Sequence, residues 1–133
     1  MEIRTYSGFR EAEIADLYAS VGWTAYTADL PALRRGFEKS LLVLAAYDNE
    51  RLIGILRAVG DGETIVLVQD LLVHPAYRRK GVGSALVRTV LERYASVRQI
   101  ELVTDNTPDT VAFYRSMGFK SLDEIGCRGF MRC

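Results

Sequence analysis

The chain has 133 residues, 49% of them apolar and 26% charged, which suits a single globular domain over 1–133 with a core of its own. Seventeen Lys and Arg balance seventeen Asp and Glu, so no overall field points to a nucleic-acid partner or a membrane surface. No apolar run approaches the roughly 18 residues of a membrane span, no basic-then-apolar leader opens the chain, and a lone histidine, His74, argues against a metal centre.

Residues Glu2 to Tyr6 alternate weakly and predict a first strand. A helix follows Ser7 or Gly8, with Ile14, Leu17, Tyr18 and Val21 at helical spacing and Gly22 as its stop. The stretch from Trp23 to Thr27 has no period and reads as a loop. A second helix runs from about Leu30 to Lys39 with Pro31 in its first turn. Three strands then form a meander: Leu42 to Tyr47, Leu52 to Val59, and Thr64 to Val73, joined by turns at 48–50 and at Asp61-Gly62. A third helix extends to about Ala95, a strand covers Gln99 to Thr104, and a last helix spans Pro108 to Met117 before Gly118. Two short strands, near Phe119–Glu124 and Cys127–Arg132, close a mixed α+β sheet of order β-α-α-β-β-β-α-β-α-β-β, with helices on both faces. Cys127 and Cys133 fit neither a disulfide framework nor a zinc site, and a reducing cytoplasm is the expected setting.

The most informative stretch lies between the third meander strand and the helix after it. The apolar run ends at His74-Pro75, three cations follow at Arg78, Arg79 and Lys80, and Gly81 and Gly83 flank Val82 before Ser84. A helix start presents unpaired N–H groups and the positive end of its dipole. Glycines there let an anion approach the backbone. The pattern is not a P-loop, since Ser84 follows Gly83 with no Lys between, and not a dinucleotide fingerprint, since position 86 is Leu.

Arg78-x-x-Gly81-x-Gly83 after a strand resembles the acetyl-CoA signature of the GNAT N-acetyltransferases. The element order resembles that family over essentially the whole chain. So does the segment Ala112-Phe113-Tyr114-Arg115-Ser116-Met117-Gly118-Phe119, where a tyrosine precedes Gly-Phe by four residues. The resemblance implies a GNAT fold and acetyl transfer from acetyl-CoA to an amine of a small molecule or peptide, with no metal. It implies pantetheine contacts at Leu71, Leu72 and Val73, with the N–H of Leu72 or Val73 as oxyanion donor. The pyrophosphate is expected on the amides of 79–84, beside Arg78, Arg79, Lys80, Gly81, Val82, Gly83 and Ser84. The family often has an asparagine seven residues before its tyrosine; that position is Thr107 here, and Asn106 is the nearest substitute. A homodimer through C-terminal strands or helices also follows from the resemblance alone.

Tyr114 is the candidate general acid. A phenol of pKa about 10 stays protonated at neutral pH and can meet a departing thiolate of pKa about 8.5. Asp70, in an otherwise apolar run apart from Gln69, is a candidate base acting through water; the alternative is a structural carboxylate satisfied by backbone or by an arginine. His74 reads as a cap or surface residue. Trp23 and Tyr26 are the candidate acceptor wall, or else a hydrophobic staple between helices. The alternative to catalysis is a non-catalytic acyl-CoA-binding module.

Overall fold

The apolar runs of the first hundred residues pair into one five-stranded sheet, as described by a computed structural model covering all 133 residues. The strands are β1 (Glu2–Thr5), β2 (Leu42–Asp48), β3 (Arg51–Gly60), β4 (Ile65–Val73) and β5 (Gln99–Leu102). They lie in sequence order across the sheet. Every neighbouring pair is antiparallel except β4 with β5, which is parallel. A parallel pair needs a crossover, and helix α4 (Val82–Arg93) provides it. The remaining helices of this part are α1 (Glu11–Ser20), α2 (Thr24–Thr27) and α3 (Leu30–Glu38).

Successive strand residues point to opposite faces, and both faces are covered. On one, Ile14, Leu17 and Tyr18 of α1 and Leu33 and Phe37 of α3 form a buried cluster with Val43, Ala45, Tyr47, Ile55 and Leu72. On the other, α4 buries Val82, Leu86, Val87 and Val90. Gly54, next to Ile55, gives it room: a Cβ there would stand 3.1 Å from Val82 and 3.3 Å from Leu86. Each aliphatic side chain so buried contributes about 1.5–3 kcal/mol. Asp29 caps α3 by accepting from the Ala32 N–H at 3.1 Å, with Pro31 in the first turn. The aperiodic stretch after Gly22 differs from the expected loop, because it contains the single turn α2, closed by the Ala28 N–H on the Thr24 carbonyl at 2.9 Å.

The chain divides into two compact units, Met1–Val103 and Thr104–Cys133. The second contains α5 (Pro108–Ser116), capped by the Thr107 hydroxyl, which accepts from the Thr110 N–H at 3.3 Å. The two closing strands expected from the sequence do not form. Leu122–Ile125 is a 3-10 turn instead, and 127–133 has no regular structure. Local bonds win there: the Ser121 N–H donates to Glu124 at 3.2 Å, Gly126 takes a left-handed φ of 78°, and the Cys127 N–H returns to the Leu122 carbonyl at 2.8 Å. The N–H groups of Ser121, Glu124, Gly126 and Cys127 are thereby committed to local partners instead of a ladder. No helix is long and apolar enough to cross a membrane.

Candidate active site

Strand β4 outruns its parallel neighbour. Pairing with β5 ends at Val68 opposite Leu102, while β4 continues through Gln69–Val73. Just there the register against β3 shifts: Arg57 faces Asp70 and Ala58 faces Val68, so Gln69 is the extra residue of a bulge. Beyond it the backbone alternates. The His74 N–H donates to the Ile53 carbonyl at 2.8 Å, so the amide of Leu72, two residues back, also faces β3. The amides of Leu71 and Val73 face the other way, to the open edge left by β5. Of the three residues expected to meet a pantetheine arm, two therefore offer free backbone groups, and Leu72 offers its amide to β3.

The open edge leads into the basic loop. His74 accepts from the Ala76 N–H through Nδ1 at 3.1 Å, the cap expected of it, and starts a 3-10 turn over Pro75–Tyr77. Tyr77 donates to Asp48 at 2.7 Å and so ties the loop to the β2–β3 turn, while the Lys80 ammonium lies 5.4 Å from its ring centre. Arg79 (φ 61°) and Gly81 (φ 80°) are both left-handed, which turns the chain sharply into α4. Arg78, Arg79, Lys80 and Gly81 are exposed. With Gly81 at the cap, the first amides of α4, those of Val82, Gly83 and Ser84, have no partner within the helix. Exposed cations, a glycine cap with nothing within 4 Å of where its Cβ would stand, and free amides fit a diphosphate. Free edge amides on β4 fit an amide-bearing arm.

Asp70 sits at the same place on the inner face, 1% exposed. Its Oδ2 accepts from Arg57 Nε at 2.7 Å and from the Tyr18 hydroxyl at 2.9 Å; its Oδ1 accepts from the Tyr26 hydroxyl at 2.8 Å. The structure thus brings Asp70 and Tyr26 together and supplies the arginine that the structural reading of Asp70 required. Gly36 of α3 makes the space, since a Cβ there would meet the guanidinium at 3.3 Å. Burial pushes both phenols up, Tyr18 strongly, and the Asp70 carboxylate adds to it. Trp23 packs edge-on to Tyr18 at 6.0 Å and tilted against Tyr26 at 6.1 Å; it is half-buried against the core cluster. Arg57 and Tyr18 are the members that sequence reasoning missed. The signal was present for Arg57, a lone charge in the apolar run from Leu52 to Val59. Tyr18 counted only as a core aromatic at helical spacing.

In the second unit, Tyr114 is half-buried on α5, stacked edge-on between Phe113 at 5.0 Å and Phe119 at 5.8 Å. Burial alone pushes its phenol up. Asn106 is exposed just before α5, and Thr107 serves as the helix cap.

A split sheet edge feeding a glycine-bearing basic helix start is the arrangement of an acyl-CoA-dependent transferase. Residues 39–121 match the family described as the acetyltransferase (GNAT) domain, and the chain belongs to that family. The GNAT family acetyltransferase SP0256 of Streptococcus pneumoniae TIGR4 is similar over 99% of this chain and 96% of its own, with a TM-score of 0.89 and 35% identity. Histone acetyltransferase TAP1 of Glycine max is 30% identical over 142 aligned positions, covering 93% of this chain and 58% of its own length. Serotonin N-acetyltransferase 2, chloroplastic, of Oryza sativa subsp. japonica is 30% identical over 132, covering 95% and 64%. The chain thus spans less than two thirds of these two curated relatives.

Proposed function

We propose that the protein transfers an acetyl group from acetyl-CoA directly to an amine of a small molecule or peptide. The observation that carries this reading is the open edge of β4 running into the Arg78–Ser84 loop. The relatives' names include both a protein and a small-amine acetyltransferase, so either acceptor class is consistent with the family. Two cysteines, too few for a disulfide framework, suit a reducing compartment such as the cytoplasm.

Acetyl-CoA supplies an activated acyl carbon, to which the amine nitrogen bonds as the carbon–sulfur bond breaks. The amides of Val82, Gly83 and Ser84, with Arg78, Arg79 and Lys80, hold the pyrophosphate against the α4 dipole. The edge groups of Val73 pair with the pantetheine arm. Leu71 lies farther from the loop on the same open edge, and its N–H donates to the carbonyl oxygen as charge gathers there. Leu71 takes this role in place of the expected Leu72 or Val73, because the Leu72 amide faces β3 and the edge groups of Val73 are given to the arm. The Tyr114 phenol, kept protonated by burial, gives its proton to the leaving thiolate and regains one from solvent. An acceptor that arrives as an ammonium gives one proton to water before its nitrogen can attack, and a second leaves to water as the amide forms. Trp23 and Tyr26 face the acceptor, and Asn106 contacts the cofactor by analogy with the family asparagine.

The test follows free-thiol release from acetyl-CoA against a panel of primary alkyl-, aryl- and polyamines plus a lysine peptide. At least one amine is expected to accelerate release and to be recovered acetylated. Acetyl-CoA binding with no acceleration by any amine would overturn the transferase reading.

A further inference from the structure

The proposed acceptor wall contains a polarised group whose direction is fixed by the protein. Tyr26 has one hydroxyl proton, and it is committed to Asp70 Oδ1 at 2.8 Å. Asp70 cannot turn away, because Arg57 and Tyr18 hold its other oxygen at 2.7 and 2.9 Å and the carboxylate is 1% exposed. The Tyr26 ring is held in turn, edge-on to Tyr18 at 5.3 Å and against Trp23 at 6.1 Å. With its proton spent, the Tyr26 oxygen can only accept. A hydrogen bond to an anion also polarises the donor, which strengthens that oxygen as an acceptor. The open side of the oxygen is marked by an exposed side chain: Gln69 Nε2 approaches it at 3.4 Å, long for a hydrogen bond. Gln69 is the bulge residue of β4, two positions before Leu71.

We propose that the Tyr26 hydroxyl oxygen is the docking point for the N–H of a cationic primary amine acceptor, that Gln69 holds the place until the amine displaces it, and that the Arg57–Asp70 ion pair is a positioning device for Tyr26. This rests on the transferase reading and narrows its substrate class. The Arg57 guanidinium balances the Asp70 charge, so the selection rests on hydrogen-bond direction: the Tyr26 oxygen accepts from an ammonium N–H and has no proton to offer a carboxylate or phosphate oxygen. This arrangement also gives Asp70 a task that needs no proton uptake: all of its hydrogen-bonding interest points inward, at Arg57, Tyr18 and Tyr26.

The experiment takes the panel amine that the wild-type protein acetylates fastest and measures steady-state constants for two variants. Tyr26→Phe deletes the oxygen and keeps the ring in its packing. Its KM for the amine is expected to rise tenfold or more, as for a lost hydrogen bond to a charged group, with kcat and the KM for acetyl-CoA within about twofold. Gln69→Ala changes an exposed residue, so folding is not at risk; its amine KM is expected to stay level or fall, because the competing amide is gone. An unchanged amine KM in Tyr26→Phe overturns the proposal. So does a parallel rise in the acetyl-CoA KM, which marks a packing role, or an amine KM in Gln69→Ala raised as far as in Tyr26→Phe, which makes Gln69 the ligand. Should the wild type bind acetyl-CoA but acetylate no panel amine, the transferase reading fails first and the docking point with it.

Discussion

Gly81 and Tyr114 are the two positions where one atom decides the proposed chemistry. Gly81 has a φ of 80° and nothing within 4 Å of where a Cβ would stand. Aspartate tolerates the left-handed region better than most residues, so Gly81→Asp is expected to fold with a loss of only about 1–2 kcal/mol. Its carboxylate would then stand among the amides that hold the pyrophosphate. Calorimetry is expected to find acetyl-CoA affinity down by at least about a hundredfold, a charge effect of roughly 3 kcal/mol at an effective dielectric near 20; unaltered affinity would remove the loop from the site. Tyr114→Phe removes a proton and leaves the stack with Phe113 and Phe119. Turnover is expected to fall by roughly ten- to a thousandfold while acetyl-CoA affinity holds. A wild-type rate in that variant would return Tyr114 to a packing role.

At the level of elements, the site depends on where β3 and β4 stop pairing and turn. Asp61 accepts from the N–H groups of Glu63, Thr64 and Ile65 at 2.7–3.0 Å and so shapes the turn between the two strands. Gly60 precedes it with a φ of 132°, and a Cβ there would lie 2.4 Å from the Ile65 carbonyl oxygen, which is backbone and cannot swing aside. Backbone strain and overpacking add in Gly60→Ala, for an expected loss of about 3–5 kcal/mol. The urea midpoint reads it directly, and an unmoved midpoint would mean the hairpin relaxes without cost. The same hairpin sets the register that brings Arg57 opposite Asp70. Removing either partner of that ion pair would leave a buried charge alone, a loss of about 3–5 kcal/mol. For this reason the specificity test uses Tyr26 and Gln69 rather than the pair itself.

For the molecule as a whole, ligand binding and stability are linked. Acetyl-CoA binds only the folded chain in this reading, so a concentration one hundred times its Kd adds about 2.7 kcal/mol. For a domain of this size that corresponds to a rise in Tm on the order of 10 °C. Free CoA carries the same pyrophosphate and pantetheine and is expected to give a similar shift, whereas inorganic pyrophosphate, lacking the arm for the β4 edge, gives less. A Tm unmoved by acetyl-CoA would set the Arg78–Ser84 loop aside as a nucleotide site.

Much of this was legible in the chain itself, and the reason is local chemistry. Apolar runs bounded by turns placed β2, β3 and β4, and helical spacing placed α4, because both signals are written in consecutive residues. The Arg78–Ser84 loop was legible for a similar reason: a cation run and two glycines at a helix start need no distant partner to be recognised. The closing strands were misread, since apolar character at Phe119 and at Phe130 and Met131 resembles strand pattern, while Ser121, Glu124 and Gly126 close a turn on themselves first. Asp70 could be seen as a buried carboxylate in want of a partner, but not which partner it had. Arg57 is 13 positions away and Tyr18 is 52, and only the hairpin register and the packing of α1 on the sheet bring the three together. The same holds for the open edge at Leu71 and Val73. A sequence gives the strand, but the side to which each amide points follows from the neighbours it pairs with, and those are set by the tertiary fold.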